Sequence, residues 1–176
     1  YVFNHEKSTD SGIIAIVLDE DKIDLHGMAL SGWKPLGIER TITKSKGRLI
    51  YTIDNQPAVD MYLKYLGNEN FSENDKNKIF DAVGVHYPFQ VKTEYGEPVM
   101  VTPMGIDKNE NALICESEVK MGSAFHFSVP PDFDIVETIL ENARDLKKEK
   151  QASADALLIF SCIGRLTAMG PMAQEE

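Results

Sequence analysis

The residues best placed to do chemistry are Ser161, Cys162 and Arg165, which follow the apolar run Leu157-Leu158-Ile159-Phe160 within five positions. A thiol beside a guanidinium is a possible nucleophile, because a nearby cation favours the thiolate. Such a nucleophile also needs a base. None of His5, His26, His86 and His126 is tied to Cys162 by sequence spacing. The bland alternative is that Ser161, Cys162 and Gly164 are small because a strand-to-helix turn packs tightly there. Arg165 carries a fixed fork of donors that suits a carboxylate or phosphate. It lies where a helix beginning near Leu166 would add backbone N–H groups. Glu175 is an internal partner for the same guanidinium, and the two readings stay open. Trp33, the sole tryptophan, sits in the loop Ser31 to Gly37 and is either a plug for the core or a lid on a ligand. The histidines lack metal-ligand spacing, so no metal site is expected. The chain shows no phosphate-binding glycine loop, dinucleotide fingerprint or nucleophile elbow, so no cofactor and no catalytic set is expected.

These residues need elements to position them. Residues 157–160 form a short apolar run bounded by breakers, which predicts a buried strand. Gly12 to Leu18 is a second such run. Lys22 to Leu30 alternates and predicts the other limb of a hairpin turned at Asp19-Glu20-Asp21. Strands follow over 38–44 and 48–53. Pro57 then opens a helix with a stripe at Ala58, Met61, Tyr62, Tyr65 and Leu66, closed by Gly67. Asp54 reads as a cap for that helix. Ser72 with Asp75 starts another helix, which ends at Gly84. Four β-rich runs (89–93, 99–106, 112–118 and 124–129), joined by short polar turns, predict an antiparallel meander over 87–129. Asp132 or Asp134 caps a helix to about Lys148, with Val136, Ile139, Leu140, Ala143 and Leu146 facing the core. The predicted class is α+β: a largely antiparallel sheet with helices packed on one face.

Composition bounds the function. The chain has 176 residues, enough for a sizeable core, with 43% hydrophobic and 26% charged residues. Its 18 basic and 28 acidic residues leave 18 − 28 = −10, which argues against nucleic acid or anionic membrane as a partner. The basic cluster Lys147-Lys148-Lys150 falls at a helix end, where it complements the dipole. Two cysteines, Cys115 and Cys162, fit a reducing cytoplasm better than a disulfide framework. No apolar run reaches the length of a membrane-spanning helix, so no membrane insertion is expected.

Three ordered stretches carry a resemblance. They are Gly32-Trp33-Lys34-Pro35-Leu36-Gly37 with Thr41-Ile42-Thr43-Lys44, then Ile53-Asp54-Asn55-Gln56-Pro57-Ala58 leading into Tyr62 to Gly67, and finally Ser161-Cys162 with Arg165, Gly170, Pro171 and Glu175. In order and spacing they resemble the FIST family of sensory domains. The resemblance implies that residues 1–56 are the trailing part of that family's N-terminal half. It implies that 57–176 are its C-terminal half, incomplete at the C-terminus. It further implies a small-molecule-sensing input domain, with amino acids or their derivatives as the ligand class. A signalling output domain or partner protein would read the ligand state. The implied ligand-binding residues are Trp33, Ser161, Cys162 and Arg165. Two readings stand beside it: a cysteine-dependent enzyme using Cys162, and a protein-interaction domain. A strand edge left open would either be blocked by the chain terminus or make the chain self-associate as a homo-oligomer.

Overall fold

The computed structural model describes residues 2–67, 80, 83–94, 98–131, 135–150, 154–160 and 162–171. The elements are β1 (Val2–Phe3), β2 (Ser8–Thr9), β3 (Lys34–Lys46), β4 (Leu49–Ile53), β5 (Gln56–Pro57), α1 (Ala58–Tyr65), a 3-10 turn (Gly84–His86), β6 (Phe89–Val91), β7 (Val99–Val101), β8 (Pro103–Asp107), β9 (Ala112–Cys115), β10 (Ala124–Val129), α2 (Ile135–Lys150) and α3 (Ile163–Met169). The helix expected from Ser72 and Asp75, and the caps expected at Asp132 or Asp134, lie outside the described residues.

One eight-stranded sheet organises the chain, in the order β7-β6-β10-β3-β4-β9-β8 with β5 added to β4. Every pairing is antiparallel. β3 is long because it serves two neighbours. Residues 34–41 pair with β10 and residues 42–46 with β4, with a bulge opposite Phe125 and Phe127. β7 and β8 stand at opposite ends of the strand order, yet Thr102 alone separates them in the chain. Two consecutive Cα–Cα steps span at most about 7 Å. The sheet must therefore curl until its two ends meet, which makes the fold nearly a barrel.

The α+β class and the antiparallel sheet are as the sequence predicts, and the strand order departs from a simple meander. The hairpins β6–β7 and β8–β9 form. β10 leaves β9 and instead pairs with β6 and β3. The run 99–106 breaks at Thr102, which lets one half join each end of the sheet.

The core combines a cluster of aromatic rings with aliphatic side chains. Tyr62 and Leu63 of α1 pack with Phe80, Phe89, Phe125 and Phe127, while Ile42, Ile50, Ile53 and Leu113 fill the remainder. α1 starts after Pro57 and ends with the Gly67 N–H bonded to the Lys64 carbonyl at 3.0 Å, as predicted. α2 differs from expectation. Ile135 is buried, Val136, Ile139 and Leu146 are half-buried, and Leu140 and Ala143 face solvent. Its stripe is thin because the sheet has already closed on its own core.

Asp54 does not cap α1. With Asn55 it forms the two-residue turn between β4 and β5, both residues having positive φ (49° and 63°). Such turns match the twist of the strands and favour Asp and Asn. Asp54 also clamps β3: one carboxylate oxygen accepts from the Thr41 N–H at 2.9 Å and the other from Arg40 at 2.9 Å. Partial burial pushes this carboxyl up. The Arg40 guanidinium and the Thr41 N–H outweigh that and hold it below its ordinary value. A depressed carboxyl contributes stability that is present above the unfolded value, near pH 4, and lost as pH falls through the folded one. Asp54→Asn should therefore cost about 1 kcal/mol at pH 7, and the gap to wild type should shrink below about pH 4. Urea unfolding from pH 7 to pH 3 measures this; a gap independent of pH would remove the clamp.

Candidate functional site

Trp33 and Arg165 reach one neighbourhood by different routes. Trp33 ends the loop before β3, and its indole Nε1 donates to the His86 carbonyl at 2.8 Å. Gln90 on β6, almost fully buried, donates from Nε2 to the Trp33 carbonyl at 2.9 Å. The tryptophan is thus half-buried and tied at two points to the stretch 86–90. Gly32, just before it, takes φ 80° and lies hard against Ile135, the first residue of α2. A Cβ at 32 would meet the tip of Ile135 at 2.1 Å, and the positive φ strains any side chain there, so glycine suits this close approach.

Arg165 is the third residue of α3 and is half-buried. Its Nη1 donates to the Leu30 carbonyl at 3.4 Å, joining the helix to the loop that carries Trp33. α3 in turn packs on the 3-10 turn: a Cβ placed on Gly164 would lie 3.4 Å from the Val85 side chain. The 3-10 turn itself sits tightly on β8, since a Cβ on Gly84 would lie 2.5 Å from the Pro103 carbonyl oxygen. Three segments distant in sequence, 30–33, 84–90 and 162–165, therefore meet.

The structure brings the segments that carry Trp33, Cys162 and Arg165 into one region. Ser161 lies outside the described residues. The sequence reading did not anticipate the contributions of Leu30, Val85, His86 and Gln90. Two of these enter through main-chain carbonyls, which no side-chain pattern announces. Gln90 alone left a trace, as a polar residue amid a strand-like apolar run.

Three expectations are overturned. Cys162, read as a small residue in a tightly packed strand-to-helix turn, is exposed, as the residue preceding α3. Residues 157–160 were expected to be a buried strand. They carry no strand pairing and are exposed, with Leu157 79% and Phe160 87% accessible. The run 12–18 is likewise exposed rather than laddered with 22–30. A continuous apolar run predicts burial only where a layer exists to receive it. The main sheet's ends meet each other, so no edge is open to these runs. Cys115, by contrast, is fully buried on β9, and burial pushes its thiol up to about 12. Among the described residues no cluster of His, Cys, Asp and Glu could hold a metal, and no helix is long and apolar enough to cross a membrane.

Comparison with known proteins matches both parts of the chain. The family model for the FIST N domain matches residues 1–56 and that for the FIST C domain matches residues 58–176. The meeting point of the two falls within the single sheet, where β3 and β4 from the first part pair with β10 and β9 from the second. A protein of Methanocaldococcus jannaschii described as uncharacterized is 25% identical over 188 aligned residues. The alignment spans 99% of this chain and 34% of that protein, so the chain covers about a third of the relative's length. No solved structure matches the chain.

Proposed function

Because this chain belongs to the FIST family, whose domains are sensory domains of signalling proteins, we propose that it is a small-molecule-sensing input module acting in the cytoplasm. Its ligand class is carboxylate-bearing, with amino acids or their derivatives foremost. Trp33, Ser161, Cys162 and Arg165 form the binding surface, and a signalling output domain or partner protein reads the state. Residues 1–56 belong to the family's N-terminal half and 57–176 to its C-terminal half.

The observation that carries this reading is the convergence of the Trp33 loop, the 84–86 turn and Arg165. An aromatic face beside a guanidinium offers a ligand both apolar contact and a charge-assisted partner for a carboxylate. Two free thiols, Cys115 and Cys162, suit a reducing compartment. Loop segments held by few contacts can respond to a ligand at low cost.

Mass spectrometry of molecules released from the purified protein identifies the ligand, and calorimetry with that molecule measures affinity. Arg165→Ala should weaken binding roughly ten- to a hundredfold, the scale of a hydrogen bond to a charged group, with the unfolding temperature nearly unchanged. Loss of stability with affinity kept would assign Arg165 to structure and remove it from the site.

A further inference from the structure

We propose that residues 12–30 and 156–160 zip into a second, small sheet beside the Arg165–Leu30 junction. Three observations point there. The first is the exposure of two β-rich apolar runs: Ile13 and Val17 are 95% and 92% accessible, and Phe160 87%. Monomeric proteins rarely leave contiguous apolar segments of this kind in water, and such segments mark surfaces that become covered.

The second is that the hairpin's turn already exists. The Asp19 carbonyl accepts from the Lys22 and Ile23 N–H groups at 3.0 Å each, and its carboxylate accepts from the Asp21 N–H at 3.1 Å and from Lys22 Nζ at 2.6 Å. The turn reverses the chain, so limbs 12–18 and 23–30 leave it in opposite directions and need only close side by side. The costly step in hairpin formation, fixing the loop, is therefore complete.

The third is the bond between Arg165 and the Leu30 carbonyl. It joins the end of limb 23–30 to the turn just beyond 156–160. Both segments run toward this junction, so 156–160 is parallel to 23–30 and antiparallel to 12–18. The continuous apolar run 12–18 suits the central place, paired on both edges. Limb 23–30, with Asp24 and His26 interrupting its apolar residues, suits an outer edge. Two strand spacings, roughly 10 Å, then separate the two outer strands, a gap a long arginine side chain spans. The occupant of each exposed run is therefore the other run of the same chain. Tethering at the junction gives this pairing an effective concentration that a second copy must match from solution.

The inference is independent of any ligand, because it is read from backbone amides of the protein alone. Hydrogen exchange of the full chain is followed by mass spectrometry at two protein concentrations, in wild type, Ile16→Asp and Leu158→Asp. In wild type, amides of 13–18 and 157–160 should exchange about a hundredfold or more slower than unstructured peptide, equally at both concentrations. Ile16→Asp should release 157–160 and Leu158→Asp should release 13–18, while β3, β4 and β10 stay protected. Unstructured rates in both runs of wild type would overturn the proposal. So would protection that falls on dilution, which would assign the cover to a second copy, or protection of one run that survives a charge in the other. If Ile16→Asp loses protection in the main sheet as well, Leu158→Asp and the dilution series decide.

Discussion

Replacing Tyr62 with alanine should lower stability by about 3–5 kcal/mol, the range for removing a large buried ring. Tyr62 is fully buried on α1 and touches four other rings. Phe80 stacks on it at 5.5 Å, Phe89 meets it edge-on at 5.4 Å, and Tyr65 and Phe127 lie at 6.3 and 6.4 Å. Its hydroxyl donates to the Tyr87 carbonyl at 3.0 Å, fastening α1 to the segment between the 3-10 turn and β6. Burial raises its pKa well above the ordinary tyrosine value, so the phenol stays a neutral donor. For a chain of this length the loss corresponds to a fall in Tm of roughly 10 °C or more. Tyr62→Phe keeps the ring and removes the donor. It should cost only about 1 kcal/mol, the net worth of one hydrogen bond. Thermal and denaturant unfolding of the pair decide the matter. Equal losses in the two variants would mean that the hydroxyl, and not the ring, holds α1 in place.

Gly84→Val should have the next largest effect, and it couples stability to the site. A Cβ there would lie 2.5 Å from the Pro103 carbonyl oxygen, which belongs to a strand and cannot swing aside as a side-chain tip would. Overpacking of this kind costs about 1–3 kcal/mol, and a backbone obstacle places the expected loss near 3 kcal/mol. The 3-10 turn must shift off β8, and the His86 carbonyl that holds Trp33 shifts with it. Since Trp33 is the sole tryptophan, its emission reports the change directly. A red shift is expected, together with lower stability. Gly105→Ala on β8 is the matched control. Open space surrounds that position, so the change should stay within about 0.5 kcal/mol and leave the emission as in wild type. Wild-type emission in Gly84→Val would detach the turn from the tryptophan.

The two variants test the same architecture from two directions. Tyr62 reaches the segment 84–90 from α1, and Gly84 reaches it from β8. That segment also carries the Trp33 loop and α3. A site assembled on it is therefore braced by the aromatic core.

The sequence by itself determined the elements whose signals are local. Alternation set the strand pair over 38–53, and turn chemistry at 45–48 closed it. Pro57, the stripe through Tyr62 and Tyr65, and Gly67 set α1. The four β-rich runs after residue 87 were legible because each satisfies its pattern within a few residues. The three ordered stretches that resemble the FIST family were equally legible, and they brought Trp33, Cys162 and Arg165 to notice. What only the tertiary structure decided was which strand lies beside which, and therefore what is buried. β10 could have followed β9; it pairs with β3 and β6 because closing the sheet buries Phe125 and Phe127 against Tyr62 and Phe89. That closure used both sheet ends and left Leu157 to Phe160 without an edge to join, although nothing in their composition distinguishes them from a core strand. The site follows the same logic. Trp33 and His86 are 53 residues apart and Arg165 and Leu30 are 135 apart. Both contacts end on main-chain carbonyls, which every residue possesses, so the pairing is set by where the fold brings the chain and not by which residues stand there.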